Sequence, residues 1–175
     1  LDEKLPSCDS VLQQSIFDAD NVVLAEGFTN EGHEESHPRF KDAAFLSATI
    51  GILVGQDGIA RYYYRMIDFR GKWELSFPFL IALQLNKNRA AELSSKITAQ
   101  DYPIKFDLNP ADFRTIDSKT AYEKCESIRG KVVLVGYLGP KEIDTFLVES
   151  DDGHTRTYGT LIIADIILDI LKDLD

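Results

Sequence analysis

Apolar positions in this chain fall into short blocks separated by polar punctuation, and one long block closes the sequence. Val11, Leu12, Ile16 and Phe17 make an imperfect apolar face, which predicts a helix over Ser10–Ala19 with Ser10 or Asp9 as its cap. Asn21-Val-Val-Leu-Ala25 is a short continuous run and predicts an interior strand. Residues 29–42 are polar, carry Gly32 and Pro38, and predict an exposed loop. Ala44–Val54 is apolar again, with Gly51 and Gly55 as punctuation. Asp57-Gly58 signals a tight turn before a Tyr-rich, half-exposed strand over Ile59–Phe69. Arg70-Gly71-Lys72 predicts a second turn into Trp73-Glu-Leu75.

Ser76 is placed to cap a helix from Phe77 to about Asn86, with Pro78 in the first turn, where a missing N–H costs nothing. Lys87–Gln100 mixes polar residues with Ala and predicts helix end and loop. Ile104–Asp107 predicts a short strand, Asn109-Pro110 a turn, and Ala121–Ser127 a helical turn. Ile128–Gly136, with Lys131–Val135 at its centre, gives the strongest strand signal. A loop holding Asp144-Thr145-Phe146 comes next. Tyr158–Leu174 then gives the strongest helix signal, apolar on more than one face and so expected to be buried or covered.

Strands alternate with helices in places and meet through tight turns in others. That mixture predicts an α/β fold over residues 1–175: one domain, with a mixed sheet flanked by helices as an α/β sandwich. A length of 175 residues and a hydrophobic share of 44% support a real core. With 29 acidic against 19 basic side chains the formal charge is −10. Such a surface repels phosphate backbones, so nucleic acid is not an expected partner. No run of 18 apolar residues occurs, so no membrane span is expected. The opening Leu1-Asp-Glu-Lys lacks the basic and apolar pattern of a secretory leader, and a first residue other than Met, with Met66 the single methionine, reads as an excised or processed piece of a longer protein. Cys8 and Cys125 read as two unrelated thiols. The alternative is a bridge worth roughly 4–5 kcal/mol on the chain-entropy view.

Taken in order, several of these segments resemble a known family. They are Asn21–Ala25, Asp57-Gly-Ile-Ala-Arg61 entering a strand, Leu75-Ser-Phe-Pro-Phe-Leu-Ile-Ala-Leu83, Arg129-Gly-Lys-Val-Val-Leu-Val-Gly136, Asp144-Thr-Phe146 and the closing apolar helix. The order is similar to that of the CHASE2 domain, across roughly residues 9–172. The resemblance implies a non-catalytic, extracytoplasmic ligand-sensing domain of a bacterial membrane signalling receptor, relaying its signal through the C-terminal helix. It implies no cofactor, an unknown small-molecule or protein ligand, the parent receptor as partner, and a homodimer through apolar residues of that helix. The chain departs from the family in two places. The usual N-terminal strand-helix-strand is largely missing, and the His that often succeeds the Pro-Gly before the last helix has no counterpart near Gly159.

The residues themselves offer three candidate chemistries. Asp144 and Thr145 come after a strand, and Tyr158-Gly159 opens a helix, so these four are expected to form a recessed ligand site where a helix start favours an anion. The plainer reading is that Asp144 and Thr145 only satisfy loop backbone. His33-Glu34-Glu35-Ser36-His37 is a literal H-E-x-x-H, yet Gly32 and Pro38 flank it and no apolar period supports a helix, so a solvated loop is expected and no metal is assigned. Tyr62-Tyr63-Tyr64 alternates across a strand, with Arg61 and Arg65 on the face of Tyr63, and strand packing is the expectation. Neither glycine pair, Gly51/Gly55 or Gly136/Gly139, has a phosphate-loop ending, and no nucleophile elbow occurs. A soluble α/β hydrolase and an interaction module without a small ligand are the alternatives to the sensor.

Overall fold

The computed structural model describes residues 8–29, 32–69, 71–89, 92, 95, 97–98, 100–107, 114–123, 125–136, 138, 144–151 and 153–173. The class is mixed α/β as expected, and among the described residues the strands fall into three small sheets where one mixed sheet was expected. Backbone contacts gather into two compact units, one of residues 1–52 with 64–102 and one of residues 53–63 with 103–175. The Asn109-Pro110 turn lies outside the described residues, as does Leu174.

In the first unit, helix α1 (Cys8–Ala19) buries only Ile16. Strand β1 (Val23–Thr29) runs antiparallel to β2 (Gly32–Glu34) and parallel to β3 (Leu46–Thr49), giving the order β2-β1-β3. A short helix α2 (Pro38–Lys41) lies between β2 and β3 in sequence, so segment 29–42 is not the simple exposed loop expected. The strand expected over Ile59–Phe69 is broken at Arg65, and its second part becomes β6 (Met66–Phe69), paired antiparallel with β7 (Lys72–Leu75). Gly71 takes a left-handed φ of 77° at that hairpin, where its N–H meets Asp68 Oδ1 at 2.9 Å.

Helix α3 (Phe77–Leu85) forms as expected, with Pro78 near its start. Ser76 caps it through its backbone only, and the side chain makes no cap hydrogen bond. Phe79 is fully buried, and Arg65 is buried with its guanidinium carbon 5.8 Å from the Phe79 ring centre and 4.0 Å from that of Tyr102.

The second unit is built around β5 (Ile59–Tyr64), whose first residues bury Ile59 and Ala60 and run parallel to β9 (Thr145–Ser150). β9 pairs antiparallel with β10 (Gly153–Tyr158), and the order β10-β9-β5 continues to β4 (Ile52–Val54); the short strand β8 (Asp101–Pro103) falls where the chain leaves the first unit. The loop expected to hold Asp144-Thr145-Phe146 gives way to strand from Thr145 on, and Gly153 at the start of β10 takes a φ of 114°. Helix α4 (Ser118–Glu123) is succeeded by a 3-10 turn over Cys125–Ile128.

Helix α5 (Gly159–Lys172) matches the expected closing helix. It buries Ile162, Ile163, Ala164, Asp165, Ile166, Ile167 and Ile170. Its other apolar residues Leu161, Leu168 and Leu171 are half-buried.

The largest correction concerns Lys131–Val135. This segment joins no ladder, and Val135 is 95% exposed. A β-branched run suits a pleated, half-covered surface only where a neighbouring strand accepts it. The segment ends at Gly136, where a Cβ would collide with the Thr160 side chain, so only glycine fits against the first turn of α5.

Candidate functional site

The four residues expected to form a site do come together. Thr145 stands opposite Tyr158 in the β9–β10 ladder, and the Gly159 N–H donates to the Asp144 carbonyl at 2.9 Å. Asp144 adopts a left-handed φ of 58°. Its carboxyl oxygens lie 2.7 and 3.1 Å from the place a Gly159 Cβ would occupy. Burial pushes the Asp144 carboxyl up from its ordinary value. The chain therefore sets its own acidic group against the first turn of α5. An external anion arriving there would meet that carboxylate, and this geometry favours an internal tie at the helix start over a recessed anion site.

A second arrangement lies in the first unit. A cleft of about 380 Å³ is lined by Glu26 of β1, His33 of β2, Glu35, Lys41 of α2 and Glu74 of β7, and by Ser47 and apolar residues from β3, β6, β7 and α3. Alternation along β1 puts Leu24 and Glu26 on one face. The registers then set Glu26 opposite Thr49 on β3, and His33 opposite residue 28 of β1. Glu26 and the His33 side chain are each 6% exposed.

A buried carboxylate needs partners, and Glu26 has several. Lys41 Nζ is 3.0 Å from Oε1, the Ser36 N–H is 3.4 Å from the same oxygen, and His33 Nε2 is 3.6 Å from Oε2. Burial alone would raise the Glu26 carboxyl. The Lys41 ammonium, the Ser36 N–H and the Ser47 hydroxyl outweigh it and hold the group below its ordinary value. Glu26 in turn raises Lys41, against the effect of burial, and Glu35 adds to this. A lowered acid and a raised base keep the pair charged from mildly acidic to strongly alkaline pH. Glu35 completes the group, 3.6 Å from both Lys41 Nζ and His33 Nδ1. The Phe69 ring lies against the imidazole, with centres 4.3 Å apart.

Thr49 Oγ1, His33 Nε2 and Glu35 resemble a nucleophile, base and orienting acid, with Oγ1 3.3 Å from Nε2. Two observations argue against that use. Thr49 is 3% exposed and does not line the cleft, so a substrate carbonyl has no approach to its hydroxyl. The same Nε2 also faces Glu26, so it is shared between the hydroxyl and a carboxylate.

The H-E-x-x-H residues divide between two elements. His33 points into the cleft group from β2, while exposed His37 caps α2 by accepting from the Arg39 N–H at 3.3 Å. The expected solvated loop is corrected for His33 and holds for His37. Among the described residues no three His, Cys, Asp or Glu side chains are set to hold a metal. Cys8 is a free, exposed thiol. Tyr63 is buried in β5 and Tyr62 exposed, as strand alternation requires.

Glu26, Glu35 and Lys41 escape a reading of the sequence that ends the first strand at Ala25 and leaves residues 29–42 to solvent. One signal was present: a carboxylate two positions beyond Leu24 on the inward face of a strand must find a cation, and Lys41 is close in sequence. No protein-family model, curated protein or solved structure matches this chain.

Proposed function

We propose that this chain is a non-catalytic ligand-sensing module whose binding site is the Glu26–His33–Lys41 cleft. The observation that carries the reading is a charged pair, tied down by buried hydrogen bonds, on the wall of an open pocket of small-molecule size. Such a pair orients a ligand without needing to react with it. The resemblance of the segment order to CHASE2 supports placing the module on the extracytoplasmic side of a bacterial membrane receptor, with α5 as the output element. Among the described residues no helix is long and apolar enough to cross a membrane.

A thermal-shift screen of small polar metabolites tests the site. A ligand at about 100 times its Kd contributes about 2.7 kcal/mol and raises Tm by several degrees. Ser47→Phe, which fills the cleft from β3, is expected to abolish that rise. A rise unchanged in Ser47→Phe places the ligand elsewhere and refutes this site. Location has its own readout. Alkaline phosphatase joined after Asp175 in the parent protein is expected to be active in a bacterial host, since it folds only after export. An inactive but intact fusion refutes the extracytoplasmic reading.

A further inference from the structure

We propose that the cleft of the first unit takes a small organic cation, an amine joined to an apolar body. This rests on reading the cleft as the ligand site. Three carboxylates, Glu26, Glu35 and Glu74, line it against one ammonium, Lys41. That ammonium is already committed to Glu26 at 3.0 Å and to Glu35 at 3.6 Å. An incoming anion would have to displace those contacts and then face a surplus of negative charge. Glu74 is exposed on β7 and has no ion-pair partner within 4 Å among the described residues. A ligand ammonium beside Glu74 gains an opposite charge, with Glu35 lining the same cleft as a second, and leaves the 3.0 Å contact of Lys41 with Glu26 in place.

The remaining wall fits the other half of such a molecule. Leu46, Ala48, Leu75 and Leu80 give it an apolar lining, which a fully hydrated metal ion would not use. No three ligand side chains converge for a metal among the described residues. The net charge of −10 also draws cations toward the protein.

The test uses tyramine as probe on the whole chain, by calorimetry at low salt. Its controls are 4-ethylphenol, which lacks the ammonium, and 3-(4-hydroxyphenyl)propionate, which replaces it with a carboxylate. Tyramine is expected to bind saturably and at least about ten-fold more tightly than either control, an amount two favourable charge contacts supply. Glu74→Gln and Glu35→Gln are each expected to weaken it by up to about five-fold, with less effect at high salt. Glu74 is exposed, so its variant tests the charge without risking the fold. If a control binds as tightly as tyramine and Ser47→Phe abolishes that binding, the cation inference fails while the site reading stands. If none of the three saturates, or tyramine binds equally well in Ser47→Phe and Glu74→Gln, both fail.

Discussion

At pH 8, Asp165→Asn will melt at a higher temperature than the wild-type chain, and the difference will vanish near pH 4. Asp165 sits mid-way along α5 at 1% exposure, and its Oδ2 has no hydrogen-bond partner among the described residues. Burial, then the nearby Asp169 and Asp107 carboxylates, push its carboxyl up to about 7, against the pull of Lys172 and the Asp107 N–H. Lys172 stands 3.4 Å from Asp169 Oδ1 and 3.7 Å from Asp107 Oδ1, so its charge is divided among these acids.

The unfolded carboxyl titrates near 3.8 and the folded one near 7. Between those values the folded chain holds a proton that the unfolded chain has lost. Stability is thus fully present below the lower value and falls as pH rises through the upper one, by at most about 4 kcal/mol. Asp144, also raised by burial, acts with the same sign, so the asparagine variant is what isolates Asp165. Glu26, Asp57 and Asp117 are lowered and act with the opposite sign at the acid end of this window and below it, equally in both proteins, so the comparison with the asparagine variant removes them. Urea titrations at pH 4, 6 and 8 measure the slope. An equal slope in both proteins would show that Asp165 carries none of it.

Phe79→Ala will cost about 3–5 kcal/mol, the usual loss for emptying a fully enclosed aromatic site. Phe79 is buried completely at the start of α3, and its ring lies beside the Arg65 guanidinium, as that of Tyr102 does. Removing it takes away packing and also part of what surrounds a buried cation. Phe79→Leu keeps most of the volume and is expected to cost less than half as much. Equilibrium denaturation decides, provided the denaturant slope is unchanged. A loss below about 1 kcal/mol for the alanine variant would mean that this part of the core is not closed.

Local signals were readable where local chemistry decides the outcome. Pro78 and the apolar run after Ser76 located α3, and the closing block of Ile and Leu located α5. The signals failed where a partner distant in sequence decides. Lys131–Val135 has the composition of a central strand, but strand status depends on a partner strand accepting it, and this segment joins no ladder. The β9–β10 hairpin was overlooked although Asp152-Gly153 is a turn dipeptide, because Thr, Arg and His along Gly153–Tyr158 hide the alternation. Asp144, Thr145, Tyr158 and Gly159 do lie together, but the strand end expected to bring them there, that of Lys131–Val135, is not formed; the β9–β10 ladder and the Gly159 N–H bond to the Asp144 carbonyl do it. The cleft escaped because its members come from several elements, and because Glu26 and His33 are polar residues at inward strand positions, which a hydropathy reading counts as surface.

The route of the backbone limits how this protein can be taken apart. It passes from one unit to the other after Ile52, returns after Tyr63 and leaves again after Tyr102. Clipping the gene at either end therefore liberates neither half whole. A piece starting at Pro103 would lack β5, and with it the strand that lies beside β9 and holds Ile59 and Ala60 inside. A researcher wanting the second half alone must splice residues 53–63 back in through a new peptide connection, or else rewire the order of segments.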